Sequence, residues 1–214
     1  MNKQKSLKDA LSHIKNGDTV MVGGFGASYP FMLLEGLLAT DVGELTIIAN
    51  SMGHEAFVTL MEAGKVSSVI TTFLKGNPVV LKMYADNPDS VTIIPQGTFA
   101  ERIRAGGAGI PGFYTPVGVG TFVEEKKEKR TFADKDCLLE TALKADVALI
   151  HASVADKWGN CLMRGTTKNF GAMMPAAADY TIVEAEEIVP VGGIDPELVT
   201  VPHIHVDAIV KVGE

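Results

Sequence analysis

Short apolar runs alternate with amphipathic patterns along the first hundred residues of the chain. Apolar runs of about four to eight residues are typical of buried strands, and apolar residues that recur every three or four positions are typical of helices. Strands are predicted here at residues 19–22, 45–49, 66–73 and 90–94. Helices are predicted between and after them, at residues 30–40, 54–63, 78–85 and 98–104. This alternation predicts right-handed βαβ units and an α/β fold, with a mostly parallel sheet flanked by helices.

Polar and glycine-rich residues follow three of these predicted strands. They are Gly23-Gly24-Phe25-Gly26, Asn50-Ser51 and Pro95-Gln96-Gly97. The carboxyl ends of parallel strands meet at one edge of a sheet, and α/β folds form their sites there. We therefore expect the three groups to lie close together.

The first of these groups is a glycine-rich corner within residues 18–30. A strand runs into Gly23, Gly24 and Gly26, and Pro30 opens the next helix. Glycines let a ligand approach the backbone, and the first amides of a helix point outward unpaired, so this corner can hold an anion. The spacing fits neither G-x-G-x-x-G nor G-x-x-x-x-G-K-[ST]. A turn that only folds the strand back onto its helix is an equally good interpretation of this motif alone.

The two ends of the chain and its middle differ from this regular part. Ser6 can cap a helix before the first strand, and Gly17 ends it. Residues 106–116 are so rich in glycine and proline that an irregular loop is predicted, packed over a site or serving as a crossover. Residues 124–130 carry a run of mixed charge that is typical of a solvated turn or an edge strand. Later strands are predicted at residues 146–151, 180–184 and 205–212, with a small-residue helix near residues 172–178.

Composition limits the possible functions. The chain has 214 residues, of which 46% are apolar, and this predicts one domain over residues 1–214. The formal net charge of -7 argues against a nucleic-acid surface, although backbone amides could still hold a phosphorylated ligand. No apolar run approaches the ~18 residues that span a bilayer, and Cys137 and Cys161 do not suggest a disulfide framework. We therefore expect a cytoplasmic protein without membrane contact.

Few residue patterns point to catalysis. No serine stands in a G-x-S-x-G elbow, so a serine hydrolase has no support. His203 and His205 would face one side of a strand, but no further ligand stands at a matching spacing, so no metal site is predicted. His54 beside Glu55 is expected in a solvated first turn of a helix. Gln96 is the polar residue of most interest, because its amide NH₂ could be aimed at a developing oxyanion, although a loop glutamine bonded to backbone is the simpler interpretation.

Several blocks of the sequence resemble the alpha subunit of family I coenzyme A transferases, and they follow in order along essentially the whole chain. They include Val22-Gly23-Gly24-Phe25-Gly26, Pro95-Gln96-Gly97-Thr98, Gly106-Gly107-Ala108-Gly109, Phe113-Tyr114-Thr115-Pro116, Gly159-Asn160, Asn169-Phe170 and Asp195-Pro196-Glu197. The acetate, butyrate and 3-oxoacid enzymes are the most similar members. The resemblance implies an open α/β fold of the CoA-transferase type.

The resemblance also implies an activity, which is acyl-CoA:carboxylate CoA transfer by a ping-pong mechanism. In that family the acyl-CoA thioester is attacked by a glutamate of the beta subunit, and the enzyme later carries CoA as a glutamyl thioester. No glutamate of this chain stands in the beta motif, so the nucleophile is expected on a partner. The implied assembly is an α2β2 heterotetramer, with CoA thioesters as substrates and no permanently bound cofactor.

Roles for individual residues follow from the matching motifs. The segment that matches the family's CoA-binding loop consists of Gly23, Gly24, Phe25, Gly26, Ala27, Ser28 and Tyr29. Gln96 matches the glutamine beside the reacting carbonyl and is the expected catalytic residue. Asn50, Gln96 and Gly97, which stand at two of the predicted strand ends, are expected to bind the substrate.

The chain departs from the family pattern in places. Pro30 follows Phe25 by five positions rather than six, residues 201–205 replace the usual Thr-Pro-Gly, and His151 stands where relatives often carry arginine. A non-catalytic sensor of phosphorylated or acyl metabolites is the alternative function, because fold alone does not fix function. Such a sensor would normally carry a DNA-reading or partner module, and the sequence has no basic recognition helix.

Overall fold

The computed structural model describes residues 2–213, except for the side chain of Ala27. Its helices are α1 (Leu7–Leu11), α2 (Phe31–Leu38), α3 (Glu55–Glu62), α4 (Pro78–Asp86) and α5 (Gln96–Gly107). Its strands are β1 (Thr19–Val22), β2 (Leu45–Ala49), β3 (Val66–Thr71), β4 (Val91–Ile93), β5 (Gly112–Thr115), β6 (Lys129–Phe132), β7 (Lys135–Thr141), β8 (Ala145–Asp156), β9 (Cys161–Leu162), β10 (Ala178–Val189) and β11 (Ala208–Lys211). Within residues 2–213, no helix has the length and apolar character needed to cross a bilayer.

A mostly parallel sheet forms the centre of the fold. Its strands lie in the order β11-β10-β8-β1-β2-β3-β4, and each neighbouring pair in this order is parallel. Strand β9 adds an antiparallel partner to the far part of β8. The predicted α/β class with a mostly parallel sheet is therefore confirmed. The strand order reverses between β1 and β8, and such a switch point leaves a crevice beyond the carboxyl ends of the two strands.

Helices cover both faces of this sheet. Val20 and Val22 of β1 are buried in one core together with Leu34 of α2. Met21, which lies between the two valines, belongs to a second core with Phe99 of α5. Successive side chains of a strand point to opposite faces, so each apolar residue of β1 has a layer to pack against. This explains why the strand is a continuous apolar run rather than an alternating one.

Two helix starts follow from local capping. Ser6 accepts a hydrogen bond from the Asp9 amide at 3.1 Å, which confirms the predicted cap of α1, although α1 ends at Leu11, well before Gly17. Asn77 Oδ1 accepts from the first-turn amides of α4, and its Nδ2 donates to the carbonyl of Met52 at 2.8 Å. Asn77 is fully buried, and it therefore fixes the start of α4 against the chain that follows β2.

A second sheet, with the order β5-β7-β6, was not predicted from the sequence. The irregular loop expected at residues 106–116 is wrong at both ends, because Gly106 and Gly107 belong to α5 and β5 begins at Gly112. A Cβ at Gly106 would lie 2.2 Å from the carbonyl oxygen of Leu143, and one at Gly112 would lie 2.8 Å from that of Glu140. These glycines allow close packing of regular elements. The charged run leads into β6, which is an exposed edge strand as expected.

The carboxyl-terminal part also differs from expectation. Strands β8 and β10 continue beyond the predicted ends at His151 and Glu184, because they pair with each other as far as Asp156 and Val189. The predicted small-residue helix near residues 172–178 is a 3₁₀ turn at Met174–Ala177. His203–His205 is likewise a 3₁₀ turn, and β11 begins after it, so the two imidazoles do not project from one face of a strand.

Candidate functional site

The glycine-rich loop lies at the switch point of the sheet. The amide of Gly23, directly after β1, donates to the carbonyl of Leu149 in β8 at 3.0 Å. The next residue, Gly24, no longer pairs with a strand, and its amide donates to the carbonyl of Asn169 at 2.8 Å. The loop therefore starts in the crevice where α/β folds bind their ligands.

Asn50 and Gln96, which sequence reasoning assigned to one edge, are in direct contact. Asn50 follows β2, and Gln96 is the first residue of α5. Gln96 Nε2 donates to Asn50 Oδ1 at 2.9 Å, although the residues are 46 positions apart. Gly97 is the second residue of α5 and is exposed, and no side chain caps this helix. The partial positive charge of the α5 start therefore favours negative charge beside Gln96.

The glycine loop is closed by its own atoms. Gly24 has φ +115°, and a Cβ there would lie 2.3 Å from the carbonyl oxygen of Ser28. Ser28 Oγ donates to the carbonyl of Phe25 at 2.7 Å and accepts from the amide of Phe25 at 3.1 Å. These contacts make residues 25–28 a tight turn. Gly24 is therefore required for closing the loop, whatever ligand the loop holds.

The residues expected to bind CoA fall into different environments. Phe25 exposes 42% of its surface, and Gly26 is exposed beside it. Tyr29 is buried and donates its hydroxyl proton to the carbonyl of Ser51 at 3.1 Å. Burial raises the pKa of Tyr29 to about 12, so this hydroxyl stays protonated. The buried Tyr29 therefore connects the glycine loop to the residues that follow β2. The side chain of Ala27, which was also expected to bind CoA, lies outside the described part of the structure.

The chain at residues 163–171 forms a further wall of the site that sequence reasoning did not assign. Ser28 Oγ and Thr166 Oγ1 lie 2.9 Å apart, so the two hydroxyls share a hydrogen bond. Gly171 lies against Gly23 so closely that a Cβ on Gly23 would approach its Cα to 2.7 Å. The sequence signal that could have assigned this segment to the site is Asn169-Phe170, which was part of the family resemblance. The contacts themselves run through backbone groups and small residues, which leave no periodic pattern.

Unpartnered polar atoms are concentrated at this edge. Among residues 2–213, the buried side-chain atoms without a hydrogen-bond partner are Asn50 Nδ2, Thr98 Oγ1 and Asn169 Oδ1. Asn50 and Thr98 adjoin Gln96, and Asn169 carries the carbonyl that holds Gly24. Buried polar atoms normally have partners, so the concentration of unpartnered ones at this edge is more typical of a functional region than of a structural core.

His151 joins the neighbouring strands to the helix that follows the glycine loop. Its Nδ1 lies 3.1 Å from Glu184 Oε1, and its Nε2 lies 3.1 Å from Glu186 Oε1. Glu184 is buried, and its Oε2 accepts from the amide of Leu33 in the first turn of α2 at 3.0 Å. Only a protonated imidazole can donate to both carboxylates. The hydrogen bond to Glu184, supported by the one to Glu186, raises the pKa of His151 above its ordinary value of 6.5.

A His151→Gln substitution is therefore expected to cost stability in a pH-dependent way. The raised folded-state pKa means that the contribution of His151 is fully present below about pH 6.5 and is lost as the pH rises through the raised value. We expect a loss of about 2 kcal/mol near pH 6, as for a hydrogen bond to a charged group, and a smaller loss near pH 9. Urea unfolding at both pH values measures it, with the exposed His13→Gln as control. A difference in unfolding free energy between the wild type and His151→Gln that does not change with pH would contradict the expectation.

The remaining histidines and cysteines do not add to the site. His54 was expected in a solvated first turn, but it caps α3 through Nδ1, which accepts from the Ala56 amide at 3.2 Å, and its ring packs 4.3 Å from that of Phe31. No group of three or more potential metal ligands occurs among residues 2–213. Cys137 and Cys161 are free and buried. Burial, with the nearby charge of Asp156, raises the pKa of the Cys161 thiol to about 12, which disfavours a nucleophilic thiolate.

Comparison with known proteins gives consistent matches over nearly the whole chain. The model of the coenzyme A transferase family matches residues 4–212. The alpha subunit of the acetate CoA-transferase of Escherichia coli is 41% identical over 214 residues, which cover 97% of this chain and 96% of the relative. One subunit of the succinyl-CoA:3-ketoacid coenzyme A transferase of Helicobacter pylori is 38% identical over 208 residues, which cover 96% of this chain and 90% of the relative.

A solved structure supports the fold independently. An acyl-CoA transferase from Escherichia coli, in a thioester complex with CoA, superimposes with a TM-score of 0.85 at 20% sequence identity. The superposition covers 98% of this chain and 47% of that chain, so this chain spans about half the length of that enzyme. At this identity the likeness shows the fold and carries no information on substrate.

Proposed function

The chain belongs to the coenzyme A transferase family, and we propose that it is the alpha half of an acyl-CoA:carboxylate CoA-transferase. The exchange is between a short-chain acid, such as acetate or butyrate, and acetoacetate or another 3-oxoacid. The observation that carries this proposal is the near-full-length match, at 38% and 41% identity, to relatives that are each named as one subunit of such a transferase. Their names include succinyl-CoA, 3-ketoacid and acetate, which are all small carboxylic acids or their thioesters.

The chemistry requires a nucleophile from a second chain. A glutamate carboxylate of the beta partner attacks the thioester carbonyl, and the tetrahedral intermediate expels CoA as a thiolate and leaves an acyl anhydride. The thiolate then attacks the glutamyl carbonyl of the anhydride, which releases the first acid and forms a glutamyl-CoA thioester. The acceptor acid repeats both steps in reverse. One thioester replaces another at each half-reaction, so no external energy source is needed.

The residues of this chain would form one wall of the cleft in which these steps occur. Gln96 Nε2 carries two N–H groups, and one of them is bonded to Asn50, which leaves the other for the oxyanion of the tetrahedral intermediate. The uncapped start of α5 places partial positive charge beside it. The exposed part of the glycine loop, at Phe25 and Gly26, follows the carboxyl end of β1 at the switch point and would hold CoA. A metabolite sensor has less support, because the relatives with near-full coverage are named as parts of transferases.

The proposal predicts that the chain alone is inactive and that activity appears with its beta partner, because no nucleophile is expected in this chain. The test mixes the purified chain with a partner of similar size that carries the glutamate, and follows the loss of acetoacetyl-CoA in the presence of acetate. Mass spectrometry of the mixture without acceptor should find CoA attached to the partner and not to this chain. Transfer by the isolated chain at a rate near that of the mixture would refute the half-site assignment.

A further inference from the structure

Asn50 was expected to bind substrate, but its position does not allow direct contact within this chain. The residue is fully buried, with no exposed surface. Its backbone carbonyl accepts from the hydroxyl of Thr72 at 2.7 Å and from that of Thr71 at 3.3 Å. These bonds join the end of β2 to the end of β3, so Asn50 is held in one position beneath the surface of the site.

Gln96 lies between the buried Asn50 and the surface of the protein. It is exposed, and its side chain donates to Asn50 Oδ1 at 2.9 Å. The two N–H bonds of an amide lie in one plane at a fixed angle of about 120°, so anchoring one of them sets the direction of the other. An exposed glutamine without such an anchor samples several rotamers and loses conformational entropy when it binds.

The hydrogen bonding of Asn50 is poorly suited to a purely structural role. Its Nδ2 is buried and has no partner among the described residues, which costs free energy. An apolar side chain of similar shape would avoid that cost, because Thr72 would keep its stronger bond to the backbone carbonyl of residue 50. A buried polar atom that is kept without a partner is more typical of a functional position than of a structural one.

We propose that Asn50 is a positioning residue, which acts through Gln96 by anchoring one of its N–H groups and thereby directing the second toward the reacting carbonyl. This inference rests on the proposed transferase function. It assigns Asn50 no contact with the substrate, so its effect should appear in kcat rather than in KM and should vanish when Gln96 is absent.

Asn50→Leu is the test variant, measured in the assembled complex alone and combined with Gln96→Ala. We expect kcat to fall about 10-fold in the single variant, with KM unchanged, and no further fall when the change is added to Gln96→Ala. The melting temperature of Asn50→Leu should equal or exceed that of the wild type, because the unpartnered N–H is removed. Losses that multiply across the two sites, or an unaffected kcat, would overturn the proposal.

Thr72→Val is a second variant, which keeps the test informative if Asn50→Leu does not assemble. It removes the hydroxyl that lies 3.2 Å from Asn50 Oδ1 and 2.7 Å from the Asn50 carbonyl, so it loosens the anchor without changing residue 50. A smaller fall in kcat is expected, again absent in the Gln96→Ala background. Thr40→Val, the same change at the end of α2, should leave kcat unchanged. Multiplicative losses for Thr72→Val would also overturn the proposal.

A readout without catalysis separates this proposal from the proposed function. In the full-length chain, the side-chain NH₂ signals of Gln96 can be assigned by their loss in Gln96→Ala. Asn50→Leu should shift these signals and speed their exchange with solvent, because the anchored proton is released. Unchanged signals would overturn the positioning role, whether or not the complex transfers CoA. Shifted signals in a complex without transferase activity would leave the anchor supported and the proposed function wrong.

Discussion

Replacing Gly24 by alanine is expected to destabilise the chain by about 3 kcal/mol, which combines the strain of a positive φ with overpacking. The φ of +115° is unfavourable for any residue with a side chain, and the added Cβ would lie 2.3 Å from the carbonyl oxygen of Ser28. That oxygen is backbone and cannot move without opening the turn. For a chain of this length the melting temperature should fall by roughly 10 °C. The CoA-dependent activity should be lost with the loop.

Gly26→Ala is the matched control for this prediction. Gly26 has φ +62°, but a Cβ there meets no atom within 4 Å, so alanine would add backbone strain without a collision. A loss of about 1 kcal/mol is expected, and calorimetry of both variants measures the difference. Equal losses at the two positions would show that the collision at Gly24 is not the cause. A stable Gly24→Ala chain would contradict the closed geometry of the loop.

The glycines of the loop can be required for more than one physical reason. Sequence reasoning associated its glycines with close approach of a ligand to the backbone. Gly24 is instead needed by the loop itself, and Gly23 is needed for contact with Gly171. Neither requirement excludes CoA, and the expectation that residues 23–29 bind it stays a prediction. Phe25 and Gly26 are exposed in this segment, so we propose them as the first positions to test for contact with CoA.

The first half of the fold was predicted well because its signals are local. Strands β1 and β2 are short, mostly apolar runs, and helices such as α1 and α4 begin at side-chain caps, Ser6 and Asn77. Strand β7 was missed because it depends on pairing with β5 and β6, and several of its side chains are exposed and polar. The full extent of β8 and β10 follows from their mutual pairing, which no local pattern records.

The residues of the candidate site also fall into those that local sequence signals predicted and those that depend on long-range contacts. Asn50 and Gln96 could be placed together, because each follows a predicted strand of one parallel sheet. The wall at residues 163–171 could not, since it reaches the glycine loop through the bond from the Gly24 amide to the Asn169 carbonyl. The pair of His151 and Glu184 was also missed, because each residue ended a predicted strand and the register between the strands was unknown. Register follows from three-dimensional packing, not from the spacing of residues along the chain.

Gln96→Ala is expected to lower the turnover of the assembled enzyme by roughly 10²-fold, the low end for the loss of one oxyanion donor. The loss should fall on kcat and leave KM nearly unchanged, because the bond would be strongest in the transition state. Steady-state kinetics with both substrates measure the two constants. Glu101→Gln, an ion-paired residue further along α5, is the control and should behave like the wild type.

Each other outcome for Gln96→Ala has a distinct meaning. A raised KM with an intact kcat would mean that Gln96 grips an oxygen of the acyl group in the ground state, so that it contributes uniform binding rather than catalysis. Wild-type values of both constants in a properly assembled complex would make Gln96 a structural residue of the α5 start. In that case its bond to Asn50 would serve only to join α5 to the end of β2, and the reacting carbonyl would have to lie away from this strand end.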